Sequence, residues 1–120
     1  MGLDMYAMRT LEPISKPVDF KTQEATEIHR WRKHPNLHGW MEELYYTKGG
    51  KEEFNCVPVT LTADDLNRLE KALKTKSLPH TQGFFFGTSD DADTVDDLTF
   101  IEKARKAIAQ GYTVYYDSWW

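Results

Sequence analysis

Apolar side chains recur at Leu37, Trp40, Met41, Leu44 and Tyr45, with Pro35 just ahead of them. These are the i, i+3, i+4, i+7 and i+8 positions of one helix face, which must be buried against another layer. Pro35 has no backbone N–H and disfavours helical backbone at His34, so it suits the first turn of a helix and breaks one that would run through it. The spacing predicts a helix from Pro35 to the stop at Lys48-Gly49-Gly50-Lys51. Upstream, Ala25, Ile28 and Trp31 carry the same period. This predicts an earlier helix beginning near Thr22 or Gln23, with a bend between the two.

The remaining pattern supplies a sheet and two further helices. Leu3, Met5 and Ala7 share one face of a short strand near residues 3–8. Pro13 and Pro17 make residues 11–20 an irregular connection. A second strand is expected near residues 54–61, its Pro58 suited to a sheet edge. Thr62-Ala63-Asp64-Asp65 resembles a capping box, and Leu66, Leu69 and Leu73 line the helix it opens. A last helix is expected from a Thr94 cap, with Leu98, Ile101, Ala104 and Ile108 as its stripe, widened by Phe100 and Ala107, and Gly111 as its stop. A β-rich segment follows near residues 112–116. Strands at both ends with helices between them predict an α+β domain, a small and mostly antiparallel sheet covered by about four helices.

At 120 residues the chain is expected to form a single domain, residues 1–120, with a core that needs no metal or disulfide staple. Its single cysteine, Cys56, points to a reducing compartment. The start of the chain has no secretory pattern, and no apolar run approaches the roughly 18 residues of a membrane span. A cytoplasmic location without membrane contact is the expectation. The formal net charge of -4 argues against general binding to nucleic-acid backbone, which needs a field of Lys and Arg.

Against that acidic balance, residues 28–41 hold three histidines (His29, His34, His38), two tryptophans, three cations and no acid. Periodicity assigns Trp40 and Trp31 first to core packing. Arg32 falls four residues after Ile28, at the edge of the predicted apolar face, where a guanidinium needs a carboxylate or a ligand anion. Arg30 and Lys33 fall on the outer face. His34 and His38 have i, i+4 spacing, but Pro35 lies between them and no further ligand completes a zinc set. Five carboxylates within Asp90–Asp97 lack the glycine and distal Glu of a calcium loop, and they suit the first turn of a helix. No phosphate-loop or nucleophile-elbow motif accompanies the glycine-bounded Gly83-Phe84-Phe85-Phe86-Gly87. Cys56, on a predicted strand, reads as an inert thiol. The sequence thus names no catalytic residue, metal or cofactor.

Three blocks carry a resemblance: Met1-Gly2-Leu3-Asp4-Met5-Tyr6, then Trp31-Arg32-Lys33 with His38 and Trp40, then Thr81-Gln82-Gly83-Phe84-Phe85-Phe86-Gly87. In that order, and with the aromatic ending Tyr115 to Trp120, the chain resembles a family of small uncharacterised proteins carried by tailed phages and bacterial prophages. Members are sometimes labelled phosphoglycerate kinase. A chain of this length has no room for the two nucleotide-binding domains of that enzyme. In the family pattern the central block lies on an uninterrupted helix, which Pro35 breaks here. The resemblance implies a phage accessory role in the bacterial host cytoplasm.

Two functional expectations follow. The first is a non-catalytic accessory protein that binds a host or defence macromolecule, its acidic patches and terminal aromatics supplying the contacts. The second is a protein or enzyme for a small anionic metabolite or nucleotide, with Asp4, Arg32, Lys33, His38 and Gln82 converging between walls of Trp31, Phe84 and Trp119. A structural role in a virion has the least support. Oligomeric state is not legible.

Overall fold

The computed structural model describes residues 2–81 and 92–120. Its elements run β1 (Asp4–Thr10), β2 (Thr26–Arg32), α1 (Pro35–Thr47), β3 (Val59–Leu61), α2 (Ala63–Lys74), α3 (Ala92–Ala109) and β4 (Thr113–Trp119). The strands form one antiparallel sheet in the order β2-β1-β4-β3, so the α+β expectation holds with three helices among the described residues rather than four.

The missing helix is β2. Residues 26–32 pair with β1 as Met5↔Trp31 and Ala7↔His29, after which the register jumps to Met8↔Glu27. Ile28 is the extra residue of this bulge. The bulge breaks the alternation of the strand and leaves Ile28 and Trp31 at a spacing that imitates a helical period. Ala25, expected on an inner face, is exposed. Thr26, Ile28 and Trp31 are good strand formers, and without β2 the long edge of β1 would stand unpaired. After Arg32, Lys33 takes a left-handed backbone at φ 55 while its N–H donates to the Leu3 carbonyl, turning the chain into α1.

Helix α1 begins at Pro35 and buries Leu37, Met41, Leu44 and Tyr45, with Trp40 packed at the margin of the core. Helix α2 opens on a complete capping box between Thr62 and Asp65 and buries Leu66, Leu69 and Leu73. Helix α3 already runs at Ala92, so Thr94 lies inside it rather than capping it. Its end is as expected. Gly111 adopts φ 93, and the Tyr112 N–H returns to the Ala107 carbonyl. Strand β3 is shorter than residues 54–61 because Cys56 takes φ 59 just ahead of Pro58. It is nonetheless an edge strand, covered by a bridge from Val18.

The core lies between the helices and one sheet face. Met5, Ala7, Trp31, Val59, Val114 and Tyr116 look inward from the strands and meet Leu37, Leu66, Phe100 and Ile101. Each large apolar side chain so buried contributes about 2 kcal/mol.

Candidate functional site

The opposite sheet face is only partly covered. At one end Phe20 packs edge-on against Tyr115 at 5.1 Å, and the Thr22 hydroxyl bonds the Tyr115 hydroxyl. Among the described residues the other end stands open. Strand pairing builds two rows there, Arg32–Asp4–Trp119 and Arg30–Tyr6–Asp117. Trp119 is 63% exposed. Arg32 forms an ion pair with Asp4 at 3.7 Å, its side chain 60% exposed. Arg30 lies over the Tyr6 ring at 4.9 Å and also contacts Glu27. Beside these rows lies a cleft of about 270 Å³ lined by Phe20, Lys21, Cys56, Pro58, Tyr115 and Asp117. Burial raises the Asp117 pKa, against the Ser118 N–H that donates to its carboxylate. Burial, and then the Asp117 charge, raise the Cys56 thiol pKa, so Cys56 is not an activated nucleophile. Cys56 is exposed on a loop rather than set on a strand.

The structure therefore gathers three of the residues singled out from sequence, Asp4, Arg32 and Trp119, but not into a cleft with His38. His38 is 1% exposed on the helix side of the sheet, its Nδ1 2.7 Å from the Tyr116 hydroxyl. Burial lowers its pKa to about 4. Arg32 and His38 look into separate environments on opposite sides of the sheet. Arg32 points to the open face rather than edging an apolar stripe, because β2 is a strand. Lys33 is exposed at the turn beyond β2. Trp31 is no ligand wall. It is 4% exposed and stacks edge-on against Phe100. Gln82 and Phe84 lie outside the described residues, as do the glycine-bounded phenylalanines and Asp90 and Asp91.

Sequence spacing missed a buried polar network between β2, α1 and α3. Asp97, fully buried, accepts from Trp31 Nε1 at 2.9 Å and contacts His34 Nε2 at 2.7 Å. His34 Nδ1 is 3.7 Å from Asp93. His29 is bracketed by Asp96 at its Nε2, 3.0 Å away, and by the Lys103 ammonium at its Nδ1, 3.2 Å away. An ammonium only donates, so His29 Nδ1 accepts and the ring proton sits on Nε2, aimed at Asp96. The signal for Asp97 was present, since it lies on the stripe of α3 three and four residues before Phe100 and Ile101. The network braces α3 against β2 and leaves His34 3% exposed. Among the described residues no group of three or more His, Cys, Asp or Glu side chains is placed to hold a metal ion. No helix among them is long and apolar enough to cross a membrane.

No protein-family model, curated protein or solved structure matches this chain.

Proposed function

We propose that this chain is a non-catalytic accessory protein, of the kind carried by phages and prophages, that binds a host or defence protein through the open face of its sheet. The observation that carries the reading is Trp119, a large aromatic left 63% exposed beside Arg32 and Asp4, one row from Tyr6 and Arg30. Trp, Tyr and Arg are the residue types that dominate binding energy at protein interfaces. Asp4 and Glu27 offset Arg32 and Arg30, and this mixed charge suits a protein surface better than a polyphosphate backbone. The phage setting rests on the three-block sequence resemblance.

Affinity capture from bacterial lysate, wild type against a Trp119→Ala, Arg30→Glu variant, tests the reading. The expected result is a stoichiometric protein captured by the wild type and lost by a variant with unchanged thermal unfolding. A partner retained by the variant, or captured nucleic acid in place of protein, overturns it, as does the lack of any stoichiometric partner.

A further inference from the structure

On the helix side of the sheet, away from the open face, the alternation that buries Met5 and Ala7 turns Arg9 inward as well. Arg9 sits between Thr26 and Val114 in the ladder, and its guanidinium carbon lies 4.4 Å from the Tyr112 ring centroid. Its Nε is buried with no hydrogen-bond partner. Arg9 lines two adjoining clefts. One, of about 360 Å³, runs between β2 and α3 and includes Ile28, Lys103, Lys106 and Ala107. The other, of about 390 Å³, continues past Thr26 to Gln23 and Tyr112.

Three cations thus converge on one groove of an acidic protein. Among the described residues, none of Arg9, Lys103 and Lys106 forms an ion pair with a carboxylate. The Lys103 ammonium meets the imidazole of His29. Two carboxylates also line the groove: Glu27, engaged by Arg30, and Glu24, at the far end past Thr26. The dipole of α3 favours Lys106 in its last turn, but it gives no reason for a strand arginine with a buried, unbonded nitrogen. A half-buried guanidinium calls for an anion with which to form charge-assisted hydrogen bonds.

We propose that this groove binds a small phosphorylated molecule. Arg9 holds the phosphate oxygens, Lys103 and Lys106 neutralise their charge, and Ile28, Ala107 and Tyr112 offer an apolar wall to the rest of the ligand. The size of the cleft suits a metabolite. The inference is independent of the open sheet face and survives if that reading fails.

The experiment is an amide-shift titration of the isotope-labelled full chain at low ionic strength with pyrophosphate, ADP and adenosine. Pyrophosphate and ADP are expected to move the amides of residues 26–28 and 103–110, while adenosine leaves them unmoved. Arg9→Gln should weaken pyrophosphate binding about tenfold, the loss of one charge-assisted contact. Lys106→Gln alters an exposed side chain at only a small cost to the fold, and it should also weaken binding. The exposed Lys71→Gln on α2 should not. The proposal is overturned if millimolar pyrophosphate leaves these amides unmoved, if only an oligonucleotide moves them, or if Lys106→Gln binds as the wild type does.

Discussion

His34 Nε2 lies 2.7 Å from Asp97 Oδ2, and the two side chains are 3% and 0% exposed. The contact ties the turn after β2 to α3, and the Trp31 indole shares the same carboxylate. Burial raises the Asp97 pKa, and the hydrogen bonds from His34 and Trp31 offset only part of that rise. Asp97→Ala removes the acceptor from both donors in a dry environment and should cost about 3 kcal/mol or more. Asp97→Asn keeps one oxygen and should fall between. Urea unfolding reads the difference, and an Asp97→Ala midpoint equal to that of the wild type would show that the network contributes nothing.

His38 makes stability depend on pH in a defined direction. Burial lowers its folded pKa to about 4 from the usual 6.5. Above pH 6.5 the ring is neutral in both states and the native chain keeps its full stability. Between 6.5 and 4 the unfolded chain takes up a proton that the native chain refuses, so stability falls with pH, by about 3 kcal/mol in total. His38→Gln can still bond the Tyr116 hydroxyl but does not titrate. Its stability should change less across this window than that of the wild type when both are followed by denaturant unfolding. Parallel profiles would reject the assignment.

Lys48 and Asp65 anchor the start of α2 to the end of α1. The Lys48 ammonium donates to the Thr60 carbonyl and to Asp65, which also closes the capping box with Thr62. Burial alone would raise the Asp65 pKa, but the hydrogen bonds from Lys48 and Thr62 outweigh it and leave the pKa lowered. The sign is that of a stabilising carboxylate: its contribution is present above the unfolded pKa and lost as pH falls through the lower folded value. Asp65→Ala removes a cap and isolates a mostly buried ammonium, so a loss of about 3 kcal/mol is expected. Lys48→Met keeps the capping box and should cost less. Equal losses in chemical denaturation would contradict this ordering.

Much of the fold was legible because its signals are local. Pro35 with the stripe to Tyr45, Thr62 with Asp65, and Gly111 after α3 each place a boundary through neighbours a few residues apart. Strand β2 was not legible, because the bulge at Ile28 disguises its alternation and its identity depends on pairing with β1. The partners of Asp97 lie 63 and 66 residues away, beyond any spacing rule. The candidate face was half legible. Asp4, Arg32 and Trp119 stood out by type, yet only the register Asp4↔Arg32 and Asp4↔Trp119 reveals that they share a surface which His38 does not reach. Arg9 was not singled out, because the strand expected near residues 3–8 ends before it and only the pairing Arg9↔Thr26 and Arg9↔Val114 places it in the sheet.

Gly39 is buried in α1 against Thr81, and a Cβ placed there would collide with the Thr81 side chain. Gly39→Ala gains about 1 kcal/mol of helix propensity, but overpacking costs about 1–3 kcal/mol, so net destabilisation is expected. The clash is specific, and Thr81→Gly should relieve it. A double-mutant cycle by thermal unfolding checks this, with Gly39→Ala expected to be milder in the Thr81→Gly background than alone. Additive effects would place the cost elsewhere.

Trp119 and Arg32 should separate binding from folding. Both side chains are mostly exposed, and the Arg32–Asp4 pair is of the surface kind that contributes little. Trp119→Ala and Arg32→Gln should each leave stability within about 0.5 kcal/mol of wild type, as substitutions away from core, caps and buried networks do. Trp31→Ala, 4% exposed in the next row of the sheet but on its core-facing side, should cost about 3–5 kcal/mol. Denaturant midpoints for the three variants give the comparison. A large loss at Trp119 would make it a structural residue and remove the reason to regard the open face as a binding surface, because its exposed aromatic would then be accounted for by the fold alone.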